Sequence, residues 1–221
     1  MDKNIHPCNN ITSGQVYLSV ILRERIGEYL GKTVQIIPHI TDEIKNRIRQ
    51  VAMREKPDIL IIEVGGTVGD IEAMPFLEAI RQFRLEEPRE NTALVHVTLL
   101  PFLKTVGELK TKPTQHSVKV LQGMGLQPDV IVGRAEIPLN QKIKEKISLY
   151  CNVPVEAVIS NPDTDCIYEL PLLFEEQGLG DYLSKILNLQ VRSPSLHSWE
   201  RVVYKFKNFN DTVKIAMPGK Y

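Results

Sequence analysis

Cysteine is scarce: Cys8, Cys151 and Cys166 are odd in number and lack metal-type spacing, which excludes a disulfide framework or zinc motif and points to a reducing compartment. Excess charge of either sign is missing as well. The 27 Lys and Arg residues balance 27 Asp and Glu, so no global field recruits nucleic acid or an anionic membrane, and phosphate binding has to be local. No apolar run approaches the roughly 20 residues that cross a bilayer, and the opening MDKNIHPCNNITSG has no apolar signal core. These absences lead to the expectation of a soluble, cytoplasmic protein with no nucleic-acid or membrane partner. There is no internal repeat and no low-complexity tract, and 221 residues suffice for one folding unit with a substantial core.

What is present is an alternation of helical and strand patterns. Residues 14–30 carry Val16, Val20, Ile21 and Ile26 at helical spacing after the capping-rich NNITS, and 41–54 sets Ile44, Ile48 and Val51 on one helical face. Between them 33–38 (TVQIIP) reads as a short strand, with Gly31 as a helix C-cap. A strand over 58–63, a helix over 74–85, a strand over 93–99, a helix over 115–122 and a strand over 129–132 follow. Further on, the pattern predicts a helix over 140–150, a strand over 157–160 and a helical stretch over 170–187 broken near Gly178 and Gly180. A linker at 191–194, an amphipathic helix over 197–206 and a last strand over 212–217 complete the reading. Such an order predicts an α/β architecture around a parallel sheet.

Residues 58–78 carry the first chemical signal. Ile59, Leu60, Ile61 and Ile62 form the continuous apolar run of a strand covered on both faces, and Glu63 falls at its carboxyl end, the edge where α/β sheets bind ligands. Gly65 and Gly66 permit close backbone approach, Thr67 adds a hydroxyl, and Asp70 and Glu72 precede Pro75, which suits the first turn of a helix. The plainer reading is that Asp70 and Glu72 only cap that helix. A second signal is GELKTKPTQHS over 107–117, which places Lys110, Lys112, Thr114, Gln115 and His116 ahead of a helix whose N-terminus favours an anion. A strand-end acid cluster and a basic loop together suggest a metal-bound polyphosphate. His116 is the one histidine read as functional; His39, His96 and His197 read as structural, and the three cysteines as buried or incidental thiols.

EVGGTVGDIEAMPFLEA and GELKTKPTQHSVK resemble the synthetase, or amidoligase, domain of the CTP synthase family. The resemblance extends through NNITSGQVY, YLGKTVQIIPHIT, KEKISLYCNVP, DCIY and the closing VKIAMPGKY, which is similar to the junction with that family's glutaminase domain. It implies a P-loop-NTPase-like, dethiobiotin-synthetase-like parallel sheet with helices on both faces. It also implies a reaction in which ATP phosphorylates the uracil O4 of UTP and ammonia from glutamine displaces the phosphate to give CTP. Residue by residue, the resemblance makes Glu63 a magnesium ligand beside the ATP phosphates, and sets Asp70, Ile71 and Glu72 against the pyrimidine nucleotide. Lys110, Thr111, Lys112, Pro113, Thr114, Gln115 and Lys146 would bind UTP as substrate or CTP as inhibitor, and Pro162, Asp163 and Thr164 would line the adenine. It implies a homotetramer as well, with 14–30 and 65–70 as the places to look for the interface.

The family's P-loop, catalytic lysines and second magnesium-binding aspartate precede NNIT, and none of them stands in this sequence, so no catalytic residue is assigned and the first strand is expected to be missing. GEYLGKT at 27–33 is one residue short of the Walker spacing and lacks a strand before it. Charged hydrogen bonds contribute about 1.5 to 3 kcal/mol each, so losing three phosphate contacts would remove about 4 to 9 kcal/mol, at about tenfold in affinity per 1.4. The expectation is either a truncated enzyme or one piece of a split enzyme, residues 1–190 forming a partial amidoligase domain and 191–221 the start of the junction; in the split case a partner chain supplies the P-loop and glutaminase. Met217 and Pro218 depart from the small apolar pair usual before GKY. A non-catalytic module that senses CTP or alters assembly is the alternative, and a dethiobiotin synthetase relative is weakened by KTKPTQHS.

Overall fold

The Thr12 hydroxyl accepts the Gln15 N–H at 3.3 Å and Gln15 Oε1 accepts the Thr12 N–H at 3.4 Å, a reciprocal capping box that starts α1 (Ser13–Arg25). The computed structural model of the chain describes residues 6–190, 195–209 and 212–219; the linker expected at 191–194 lies outside them. Instead of the one folding unit that length suggests, the chain divides into two, Met1–Leu94 with Gln115–Pro128 and Val95–Thr114 with Asp129–Tyr221.

The first unit has a helical core. α1, α2 (Thr41–Glu55) and α3 (Met74–Glu86) contribute Val16, Val20, Ile44, Ile48 and Ala79, all at most 5% exposed; the face read over 41–54 is buried, whereas of the four residues read together over 14–30 only Val16 and Val20 are, Ile21 and Ile26 being 46% and 79% exposed. Pro75 stands in the first turn of α3, where its missing N–H costs nothing. Ion pairs tie the helices together. Glu43 on α2 lies between Arg23 of α1 and Arg47, whose Nε is 2.8 Å away; Glu86 on α3 receives Lys45 at 2.5 Å and Arg49 at 2.6 Å from α2.

Three expected strands do not form. Residues 33–38 give no strand; Ile36–Ile40 make a wide helical turn, with Ile36 and Ile37 each 51% exposed. Residues 58–63 take no place in a sheet, and Ile59, Leu60, Ile61 and Ile62 are 56%, 36%, 85% and 40% exposed. Residues 212–217 are likewise outside any sheet. A strand is stable only with a neighbour to complete its hydrogen-bond ladder, and among the described residues none pairs with these. Gly31 is not a helix cap either: α1 ends at Arg25 with Ile26 as its C-cap, and Gly31, at φ +76°, serves a later turn.

The second unit carries the α/β architecture. β1 (Val95–Leu99), β4 (Val130–Ala135) and β5 (Val158–Pro162) form a parallel sheet in the order β1-β4-β5, while β2 (Phe102–Leu103) and β3 (Glu108–Leu109) make a small hairpin after β1. α4 (Lys112–Gly123) follows the hairpin, and the division between units passes through it after Thr114. Val130, Ile131 and Val132 of the central strand are at most 4% exposed, as expected of a strand covered on both faces. α5 (Gln141–Cys151), capped by Asn140 Oδ1 on the Ile143 N–H at 3.0 Å, packs on β5, as does α6 (Leu170–Glu176). Gly178, at φ +74°, separates α6 from α7 (Leu179–Ile186), and α8 (His197–Lys207) is held by Trp199 stacked on Tyr168 at 6.2 Å. No helix among the described residues is long and apolar enough to cross a membrane.

Candidate functional site

In the first unit the acidic turn borders a cavity of about 610 Å³, with Glu63, Asp70 and Glu72 among its lining residues and Ile44, Ile48 and Phe76 forming apolar wall. Glu63 ends an exposed run rather than a strand, and its carboxylate lies over Gly65, where a Cβ would stand 3.6 Å from Oε1. Gly66 and Gly69 take φ of +92° and +103°, a region that side chains resist, so the turn needs glycine at both places. Asp70 closes it: the Thr67 N–H donates to Asp70 Oδ2 at 3.2 Å and the Asp70 N–H donates to the Thr67 carbonyl at 3.0 Å. The Asp70 carboxylate thus caps the glycine turn and not α3, which begins at Met74. Ile71 is 81% exposed. Among the described residues no three His, Cys, Asp or Glu side chains gather closely enough to cage a metal. One or two carboxylates with the remaining positions open suit magnesium, which keeps waters and takes substrate phosphates.

In the second unit the remaining candidates collect at the carboxyl edge of the sheet. Leu100 follows β1 and its N–H donates to the Arg134 carbonyl at 2.8 Å; the hairpin then returns the chain so that the Lys110 N–H donates to the Pro101 carbonyl at 2.9 Å. Lys110 is half-buried, and Thr111 and Thr114 are buried. The Thr114 hydroxyl is engaged with Thr98 Oγ1 at 3.3 Å and the Leu99 carbonyl at 3.4 Å, so it anchors the loop from within. Lys112 and Pro113, both exposed, open α4, which starts three residues earlier than the sequence pattern suggests. Lys146 is exposed on α5; Gln115 and the exposed His116 lie beyond the division, in the first unit.

Pro162 ends β5, and the segment after it is well fixed. The Asp163 N–H donates to the Ala135 carbonyl at 2.9 Å, and its carboxylate stands 3.8 Å from Arg134. The Thr164 hydroxyl accepts the Cys166 N–H at 3.2 Å and donates to Glu169 Oε2 at 2.6 Å. Lys207 of α8 holds the other oxygen of Glu169. Sequence reasoning missed Glu108, Arg134 and Glu169. The alternation of Glu108 and Lys110 about an apolar Leu109 could have revealed the first, but nothing local marks the other two.

The other histidines and the cysteines are placed as follows. His39 Nδ1 accepts the Gln35 N–H at 3.0 Å and its ring meets Tyr29 edge-on at 4.8 Å, while burial pushes the buried His96 imidazole below its ordinary pKa. Cys151 and Cys166 are buried free thiols, and Cys8 is exposed.

A family model described as CTP synthase N-terminus matches residues 1–189. The CTP synthase of Pyrococcus horikoshii is 59% identical over 221 residues, the whole of this chain and 41% of that protein. That of Thermococcus kodakarensis is 56% identical over 221 residues, again the whole chain and 41% of the relative. The CTP synthase of Synechococcus sp. (strain JA-3-3Ab) is 54% identical over 220 residues, covering 40% of its own length. The chain therefore spans about two fifths of the curated relatives it matches.

Proposed function

Because the chain belongs to the CTP synthase N-terminus family, we propose that it is the synthetase part of an ATP-dependent ligase that aminates UTP to CTP in pyrimidine nucleotide biosynthesis. The observation that supports this most is the match of the entire chain to CTP synthases at 54–59% identity. The carboxyl edge of the sheet supplies groups suited to a nucleotide triphosphate. Lys110, Lys112 and Lys146 offer ammonium donors to the phosphates of UTP or CTP, and Thr111 and Thr114, turned inward, fix the segment that carries Lys110 and Lys112. Pro162, Asp163 and Thr164 would take the adenine of ATP, the Asp163 N–H being held by the Ala135 carbonyl and the Thr164 hydroxyl by the Glu169 carboxylate.

Asp70, Ile71 and Glu72 would meet the pyrimidine nucleotide, Ile71 through exposed apolar surface and the two acids as hydrogen-bond acceptors. Glu63 is the carboxylate we assign to magnesium, which, when bound, would neutralise charge on the ATP phosphates. Residues 1–190 would form the amidoligase portion and 191–221 lead toward a glutaminase that supplies ammonia. The outer face of α1, with Leu18, Leu22 and Ile26 at 57%, 56% and 79% exposure, supports a homo-oligomer, which we take to be a tetramer in the cytoplasm.

Lys110→Ala tests the assignment. A charged hydrogen bond is worth about 1.5 to 3 kcal/mol, so calorimetric titration should show CTP and UTP binding weakened by about ten- to a hundredfold. The melting temperature should hardly move, since Lys110 is half-buried in a loop and packs little. Unchanged affinity would remove the loop from the nucleotide site.

A further inference from the structure

We propose that Glu108 is an internal counter-ion which the incoming triphosphate must displace from Lys110, so that this carboxylate sets how strongly the edge of the sheet selects a polyphosphate over lesser anions. The inference deepens, and rests on, the assignment of that edge to UTP and CTP.

Its basis is the strand period. β3 pairs Leu109 with Phe102 and Glu108 with Leu103, and the Lys110 N–H bond to Pro101 keeps the chain extended one residue further. In extended backbone alternate side chains share a face. Leu109 turns inward and is 6% exposed, which leaves Glu108 and Lys110 together outside, with the Lys110 Nζ donating to Glu108 Oε1. α5 brings Lys142 in its first turn and Lys146 one turn on, a spacing that sets both on one helical face. The Lys110 hydrogen bond first, and then the more distant charges of Lys146 and Lys142, hold the Glu108 carboxyl below the usual carboxylate range.

Lys110 holds the carboxylate directly and the charges of Lys146 and Lys142 act on it from further off, which leaves positive charge that a single-charged anion answers poorly and a triphosphate answers well. A phosphate approaching Lys110 meets Glu108 as a like charge. The Glu108 side chain is 55% exposed, so it can swing into water at small cost once the phosphate takes its place. An anion with too little charge to make good the lost ion pair leaves it closed. This is a specificity role exercised through Lys110.

The direction of the effect separates it from a structural role, because losing a structural residue weakens binding whereas losing a competitor strengthens it. Calorimetric titrations of the whole chain with CTP and with inorganic tripolyphosphate are the test. Glu108→Gln should tighten both by about threefold, as befits an exposed ion pair. The gain should shrink at high salt, and vanish when Lys110→Ala is present in the same chain. If Glu108→Gln binds tripolyphosphate no tighter than the wild type while Lys110→Ala weakens it, the counter-ion role is overturned. Failure of both wild type and Glu108→Gln to bind tripolyphosphate overturns it equally. Tightening toward tripolyphosphate with CTP bound no better than the bare polyphosphate upholds the counter-ion and removes the pyrimidine assignment instead.

Discussion

Glu43→Ala should destabilise the first unit by about 2 to 4 kcal/mol, seen as a lower urea midpoint by circular dichroism. Glu43 is 8% exposed and is flanked by Arg23 of α1 and Arg47 of α2, so its removal takes away the anion that two guanidinium groups share and leaves Arg23 only the more distant Glu28, at 3.8 Å. Truncating one partner of a buried ionic group costs more than the group contributes as a whole, because the remaining charge stays desolvated. The two arginines are 28% exposed, which sets the expected value below that for a fully buried set. A loss under about 0.5 kcal/mol would mean that the pairs behave as surface contacts.

The same site predicts an acid response. Burial by itself would raise the Glu43 pKa, but hydrogen bonds from Arg47 and Ser19 and the charges of Arg23 and Arg47 outweigh it and hold the carboxyl low. A depressed folded pKa contributes stability that is complete above the unfolded value, about 4.3, and is lost as pH falls through the folded value. The advantage of wild type over Glu43→Gln should therefore be full at neutral pH and decay only below about pH 4.3. Glu86, held low by hydrogen bonds from Arg49 and Lys45, adds to the decline of the wild type in the same window.

Gly133→Val should cost about 3 kcal/mol through overpacking of the second unit. Gly133 lies in the central strand β4, where a Cβ would fall 2.7 Å from Leu100 Cδ1 and 2.8 Å from Leu139 Cδ1. Both leucines are at most 6% exposed, so neither has room to withdraw. Trp199, the sole tryptophan, belongs to this unit and reports its unfolding by fluorescence. The displacement also reaches the site, because Leu100 begins the segment that returns through the hairpin to Lys110. CTP binding at a temperature where the variant is folded should therefore fall as well. A variant with wild-type midpoint and affinity would show that the two leucines repack freely.

Elements specified by their own residues were readable in advance. Ile44, Ile48 and Val51 announced α2, Pro75 the start of α3, and the patterns over 140–150 and 129–132 a helix and a strand where α5 and β4 stand. The strands expected at 33–38, 58–63 and 212–217 were not readable, since an apolar extended segment becomes a strand only if other chain supplies its ladder. At the site, the glycine turn and the lysine loop stood out by composition. The clamp on Thr164 did not, because Glu169 and Lys207 are 38 residues apart and meet only through the docking of α8. Thr111 and Thr114 look like ligand groups in a motif and are buried in the fold; nothing in KTKPT says which hydroxyl faces inward.

The exposed run of Ile59, Leu60, Ile61 and Ile62 has a cost in the test tube. Four successive apolar residues that join no sheet among the described residues are a template for cross-molecule β-zippers, which grow with concentration and resist redissolving. Turbidity at high protein concentration should thus disappear when Ile61, the most exposed of the four, is changed to lysine, a gatekeeper charge that repels a second copy of the same segment.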